Sequence, residues 1–275
     1  MILNSPIITF HDGHQIPQFG LGVFRSEIGA ETAQAVTWAI EAGYRHIDTA
    51  MAYGNEADVA AGIKASGVAR EEIFVTSKLR NGYIEEKRAV EGIESSLKAL
   101  DTDYIDLYLL HWPVTNFEYS WEVLMEYQAK GKIRSIGVSN FQIRHLEKLE
   151  RLGLALPVAN QIELHPSFQE WELKRYCEER GIVIEAWSPL GGRDHLMIND
   201  PAIVAIGEAH GKTGAQVIIR WHLQNGNVVI PKSVKQERII QNAEVFDFEL
   251  TAEEMAVINA LDTNERAYWS PDRWD

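Results

Sequence analysis

The feature that most constrains this chain is an alternation. Short runs rich in β-branched and aromatic residues fall around 19–23, 46–50, 73–79, 104–111, 134–139, 158–164, 182–188 and 228–232. After each comes a segment with apolar residues at helical spacing: 31–42, 55–66, 85–100, 119–130, 142–152, 169–180, 201–224 and 235–245. In 85–100, Ala89, Val90, Ile93, Leu97 and Leu100 recur with the helical period. Strands separated by helices pair in parallel, because a crossover brings the chain back in the same direction. Eight such units in 275 residues predict a closed α/β barrel, the (β/α)8 or TIM-barrel architecture, as a single domain over 1–275. A doubly wound open sheet is the alternative. It usually carries G-x-G-x-x-G after its first strand, and no such match exists here.

Two additions frame the repeat. The stretch IITFHDGHQIPQFG (7–20) places Asp12-Gly13 between apolar runs and predicts an N-terminal β-hairpin. Thr251 and Glu254 form a capping box ahead of Met255, Ile258 and Leu261, which predicts an extra C-terminal helix.

Charge and cysteine usage exclude several function classes. Lys and Arg total 26 and Asp and Glu 40, so the net charge is −14. A nucleic-acid binder would show a basic footprint, and an anionic membrane would repel this chain. No signal peptide is read at the N-terminus and no apolar window is long enough for a membrane span. The one cysteine, Cys177, allows no internal disulfide and no thiolate metal cage, and the nine histidines show no metal-ligand spacing, so no metal site is expected. A cytoplasmic location is expected. His210-Gly211-Lys212-Thr213 is not a phosphate loop, because Ile206 stands where that motif needs glycine.

In a barrel of this kind, chemistry sits at the C-terminal ends of the strands. Those ends carry Asp48, Lys78, His111, Ser139 with Asn140, Gln161 with Glu163 and His165, Glu185 with Ser188, and Lys232 with Ser233. Asp48, Lys78 and His111 belong to consecutive strands, and Tyr53 follows Asp48 in a loop able to lean over the rim. A free phenol titrates at ~10; an ammonium beside it favours the phenolate, so Lys78 is expected to lower the Tyr53 pKa. Asp48 would hold Lys78 charged. The result is a tuned proton donor, with His111 to orient a carbonyl. A barrel glycosidase built on Glu163 and Glu185 is a rival reading, but it leaves Tyr53, Lys78 and Lys232 without a role.

These stretches resemble the aldo-keto reductase family. GYRHIDTAMAYGNEADVAAGI (43–63) is similar to the family signature around its catalytic Asp and Tyr, and LYLLHWPV (107–114) to its catalytic His segment. GKIRSIGVSNF (131–141), NQIELHP (160–166), AWSPLG (186–191) and IPKSVKQERIIQN (230–242) match in order. The short loop after Trp187 is similar to that of bacterial members such as the diketo-gluconate reductases, and implies fast cofactor exchange. The resemblance implies reduction of aldehydes or ketones with a nicotinamide cofactor, NADPH in preference to NADH, by a monomer acting on a small-molecule substrate. It puts the catalytic tetrad on Asp48, Tyr53, Lys78 and His111.

The resemblance also implies cofactor contacts. Gly22 and Val23 would line the cofactor, and Asp48 would touch its edge. Ser139, Asn140 and Gln161 would meet the nicotinamide amide, and Trp187, where many members have Tyr, would stack on the ring. Ser188 and Leu190 would follow the pyrophosphate. Lys232, Ser233, Val234 and Arg238 would hold the adenosine 2′-phosphate, with Gln241, where Glu is common, and Asn242 near the adenine. Lys232 and Arg238 are suited to converge on one phosphate. Phe24, Tyr53, Arg80, His111, Trp112 and Trp269 would form the substrate pocket, with Tyr268 and Trp274 adding aromatic walls. Arg80 departs from the Trp common there: it attracts an anionic group, or it is a surface arginine paired with Glu85 or Glu86. A non-catalytic regulatory subunit that keeps the fold and NADPH is the other alternative.

Overall fold

The computed structural model describes Leu3, residues 5–192 and residues 195–274. A hairpin opens the chain, β1 (Ile7–Thr9) against β2 (Gln15–Pro17), turned at Gly13 with φ 90°. The alternation then runs β3 (Leu21–Gly22), α1 (Ala30–Glu41), β4 (His46–Asp48), α2 (Glu56–Ser66), β5 (Phe74–Leu79), α3 (Asn81–Glu85), α4 (Ala89–Ala99) and β6 (Ile105–Leu110). It continues through α5 (Phe117–Ala129), β7 (Ile133–Ser139), α6 (Ile143–Arg151), β8 (Ala159–Glu163), α7 (Trp171–Glu178) and β9 (Val183–Trp187). A small hairpin, β10 (Gly191–Gly192) with β11 (His195–Leu196), leads to α8 (Pro201–His210), α9 (Gly214–Gln224), β12 (Val228–Val229), α10 (Gln236–Ala243) and α11 (Ala252–Asn259).

Eight strands pair in parallel in the order β12-β9-β8-β7-β6-β5-β4-β3. The first and last members close on each other. Parallel bridges join Phe19 to Val229 and Gly22 to Lys232, and the Gly20 N–H donates to the Val229 carbonyl at 3.0 Å. Gly22 is needed at this seam, since a Cβ there would stand 2.8 Å from the Ile230 carbonyl oxygen. The expected (β/α)8 barrel is therefore the fold.

Period-two alternation sorts the strand residues. On β6, Tyr108 and Leu110 pack with the helix cluster around Trp121 and Leu124, whereas Leu107 and Leu109 face inward. Phe10 and Ile16 of the opening hairpin join these inward residues and plug one end of the barrel. The chemistry-bearing end is the other one.

The predicted helix over 201–224 is two helices. Gly211 closes α8 in the left-handed conformation at φ 65°, and Thr213 caps α9 in a box with Gln216. Those residues are the HGKT stretch, which is thus helix punctuation. On α4, Ala89, Ile93 and Leu97 are buried, as is Leu100 just past its end, but Val90 is 46% exposed: one residue on from Ala89, it rotates out of the stripe.

Candidate active site

The strand ends meet in a cleft of about 580 Å3. Asp48 ends β4, Lys78 lies near the end of β5, His111 follows β6, and Gln161 lies on β8. Tyr53 sits on a tight turn after β4, closed by Gly54 at φ 72°. That turn is held from behind. The Asn55 amide donates to the Val23 carbonyl at 3.1 Å and accepts from the Thr49 hydroxyl at 2.8 Å. Asn55 is a supporting residue that spacing alone did not single out.

Lys78 is wholly buried. Its ammonium donates to both Asp48 oxygens at 2.8 and 2.7 Å and to the Thr49 carbonyl at 2.8 Å, and lies 3.4 Å from the Tyr53 hydroxyl. The Gln161 amide donates to Asp48 Oδ2 at 2.8 Å. Asp48 holds the lysine cation above its ordinary range despite burial. Burial pushes Asp48 upward, and Lys78 and Gln161 oppose it.

The Tyr53 phenol corrects the expected direction. Burial pushes it up to about 12; the Lys78 charge pulls down, but the Asp48 and Glu185 charges add to the rise. Desolvation of the phenolate outweighs the single favourable cation, so the group rests as a neutral phenol. His111, 5.8 Å from the Tyr53 ring and edge-on, is lowered to about 3 by burial and then by Lys78, so it is a neutral imidazole.

Gly22, Phe24, Arg80, Trp112, Ser139, Asn140, Gln161, Trp187, Ser188, Lys232 and Trp269 line the same cleft, together with Tyr268. The Trp187 indole donates to Asn140 Oδ1 at 2.9 Å, which orients its ring. Asn140 and Ser188 hold left-handed φ of 64° and 51° at these strand ends. Such outliers in non-glycine residues concentrate at functional sites. Val23 is fully buried and its carbonyl is taken by Asn55, while Leu190 packs into apolar clusters below the loop. Neither lines the cleft. Ser233, Val234, Arg238, Gln241 and Asn242 lie beyond it, on α10 and the turn before it. Lys232, Arg238 and Gln241 are exposed there and Asn242 is buried. The side chain of Trp274, and all of Arg193 and Asp194, lie outside the described residues.

Two expectations about carboxylates and arginines are settled by contacts. Glu163 and Glu185 are both fully buried and neither lines the cleft, so the glycosidase pair has no route to a sugar. Glu163 instead accepts from the Ala267 N–H at 2.7 Å. Glu86 pairs with Arg88 at 2.8 Å, not with Arg80. Arg25, which the sequence pattern did not flag, also lines the cleft. Among the described residues no group of three metal-ligating side chains is found, and no helix is long and apolar enough to cross a membrane.

The (β/α)8 barrel thus carries a buried Lys–Asp pair beneath a cleft-facing tyrosine, with a neutral histidine beside it. The sequence profile of the aldo/keto reductase family matches residues 19–263, and the chain belongs to that family. It is 48% identical to the glyoxal reductase of Bacillus subtilis (strain 168), over 96% of each chain. It is 46% identical to the morphine 6-dehydrogenase of Pseudomonas putida, over 95% of this chain and 93% of that one. Among solved structures, a mutant of Gox0644 in complex with NADPH superposes with a TM-score of 0.91 at 41% identity, covering 98% of each chain.

Proposed function

We propose that this protein is an NADPH-dependent reductase of aldehydes and ketones in which Tyr53 is the general acid. The observation that carries this reading is the Lys78 ammonium, bound to Asp48 and lying 3.4 Å from the Tyr53 hydroxyl at the floor of the cleft. The residues present fit a nicotinamide dinucleotide. An oriented Trp187 ring and the polar groups of Ser139, Asn140 and Gln161 come from the ends of the neighbouring strands β9, β8 and β7, and Lys232 follows β12, the next strand round the barrel. Arg238, on α10, and Lys232 are cations suited to a 2′-phosphate, with Ser233 between them in sequence. That pair favours NADPH over NADH.

A nicotinamide held by these residues would supply the hydride that the carbonyl carbon needs. The Tyr53 hydroxyl gives its proton to the carbonyl oxygen as negative charge develops on it. Lys78 then stabilises the phenolate left behind, and Asp48 keeps Lys78 charged and in place. His111, neutral, offers an N–H to the carbonyl oxygen and fixes its direction. Phe24, Trp112, Tyr268 and Trp269 supply apolar walls. We read the protein as a cytoplasmic monomer.

Tyr53→Phe is the direct test. Loss of the acid should lower kcat by about 10²- to 10⁴-fold, while quenching of protein fluorescence by NADPH is retained. A Tyr53→Phe variant that still consumes NADPH with a simple aldehyde at the parent rate removes Tyr53 from the mechanism. Binding of NADPH without turnover of any aldehyde or ketone by the parent protein favours the regulatory-subunit reading.

A further inference from the structure

Two guanidinium groups at the mouth of the cleft have no part in the reading above. Arg25 follows β3 and Arg80 follows β5. In the barrel β4 lies between those strands, so the turn carrying Tyr53 emerges between the two arginine-bearing loops. Both arginines line the cleft with Tyr53, His111 and Trp112. Among the described residues neither side chain has an ion pair or a hydrogen bond; the nearby Glu86 and Glu91 are taken by Arg88.

Arg25 is held in place without being neutralised. Its backbone has a left-handed φ of 60°, and the Ser26 N–H donates to the Val23 carbonyl at 3.2 Å across the turn. Its guanidinium carbon lies 5.1 Å from the Phe24 ring centroid and 5.9 Å from that of Tyr268. A guanidinium held by its face against aromatic rings keeps its edge N–H donors for an anion.

The local charge points the same way. The chain carries −14 overall, yet the cleft lining contains Arg25, Arg80 and Lys232 against one acid, Asp48, which Lys78 already pairs. With Lys232 given to the cofactor phosphate, two cations remain on the Tyr53 side. A low-dielectric cleft focuses such a field on what enters it.

We propose that Arg25 and Arg80 form an anion subsite flanking Tyr53, so that the preferred substrates are carbonyl compounds bearing a carboxylate. This rests on the carbonyl-reductase reading. The carboxylate docks at the mouth through charge-assisted hydrogen bonds, and the carbonyl reaches the Tyr53 hydroxyl and His111.

The test compares 4-carboxybenzaldehyde with methyl 4-formylbenzoate, which share a ring and differ in charge. With NADPH, kcat/KM for the carboxylate should exceed that for the ester by about tenfold at low salt. The advantage should shrink as salt shortens the screening length. In Arg80→Ala, and again in Arg25→Ala, the carboxylate-to-ester ratio should fall severalfold through KM, and Arg80→Lys should restore part of it. An unchanged ratio in both variants, or a parent enzyme that prefers the ester, overturns the subsite. Weaker NADPH binding in Arg25→Ala with the ratio unchanged assigns Arg25 to the cofactor and overturns the pairing. Failure to reduce either aldehyde while NADPH binds is a different result: it removes the reductase reading on which the subsite stands.

Discussion

Tyr53 shows where single residues were legible and where they were not. Asp48, Lys78 and His111 each end an apolar run, so their meeting at one rim follows from the alternation. The sign of the Tyr53 shift does not follow from that pattern, because it depends on how much water the fold removes. The phenol sits at about 12 because desolvation outweighs Lys78. In the proposed mechanism the lysine therefore acts on the phenolate after proton transfer. His111, at about 3, should contribute no ionisation to the reduction profile near neutral pH; a limb at pH ~6.5, the ordinary histidine value, that vanishes in His111→Gln would contradict this.

Glu185 adds a residue-scale prediction. It lies 3.6 Å from His46 Nε2, and neither of its oxygens has a hydrogen-bond partner among the described residues. Burial and the Asp48 charge raise its carboxyl well above the usual range. A raised carboxyl pKa gives stability that is complete below the unfolded value of ~4.5 and is lost as pH rises through the folded value. Glu185→Gln should therefore gain on the parent as pH climbs, reaching about 1–3 kcal/mol at pH ~8. Urea unfolding across that range measures the gap, and parallel stability curves would count against it.

At the scale of elements, the eight strands and the helices between them were readable as period-two and period-3.6 patterns. The break between α8 and α9 is a gap in that period, since no large apolar residue falls between Ile206 and Val217. Gly211 and the Thr213–Gln216 box decide it locally. The C-terminal segment had no periodicity to read. Its position comes from contacts far apart in sequence. The Ala267 N–H is bound by Glu163, Arg266 pairs with Glu170 and lies over the Phe168 ring at 4.4 Å, and Thr263 bonds to the Ser167 carbonyl. These contacts bring Tyr268 to 5.2 Å from Trp187. Arg266→Ala should loosen the segment. Amide exchange over residues 264–272 should quicken about tenfold or more, while protection in β6 and β7 is kept. Uniform quickening across the barrel would mean global destabilisation instead.

For the whole molecule, closure and charge are the two collective properties. Closure places the end of β12 beside β3, so Lys232 and Gly22 become neighbours despite lying at opposite ends of the repeat. The charge of −14 repels anions at a distance. On the proposed reading, NADPH would be held through the exposed Lys232 and Arg238, whose attraction is screened by salt. Affinity for NADPH should fall severalfold between about 0.05 M and about 0.5 M salt. Affinity for NADH should change less, and Arg238→Ala should narrow the difference between the cofactors. Fluorescence titration reads both, and equal salt slopes for NADPH and NADH would remove the 2′-phosphate assignment.

By itself the sequence determined the barrel, the opening hairpin, the last helix and the strand-end residues Asp48, Lys78 and His111. All of these rest on local periodicity or on which residue ends a run, and neighbours along the chain carry that information. Only the tertiary structure decided the direction of the Tyr53 shift, the burial of Glu163 and Glu185, the freedom of Arg80 from Glu86 and the placing of Arg25 beside the cleft. Each of these depends on desolvation or on pairing between segments distant in sequence, and such quantities exist only once the barrel has closed.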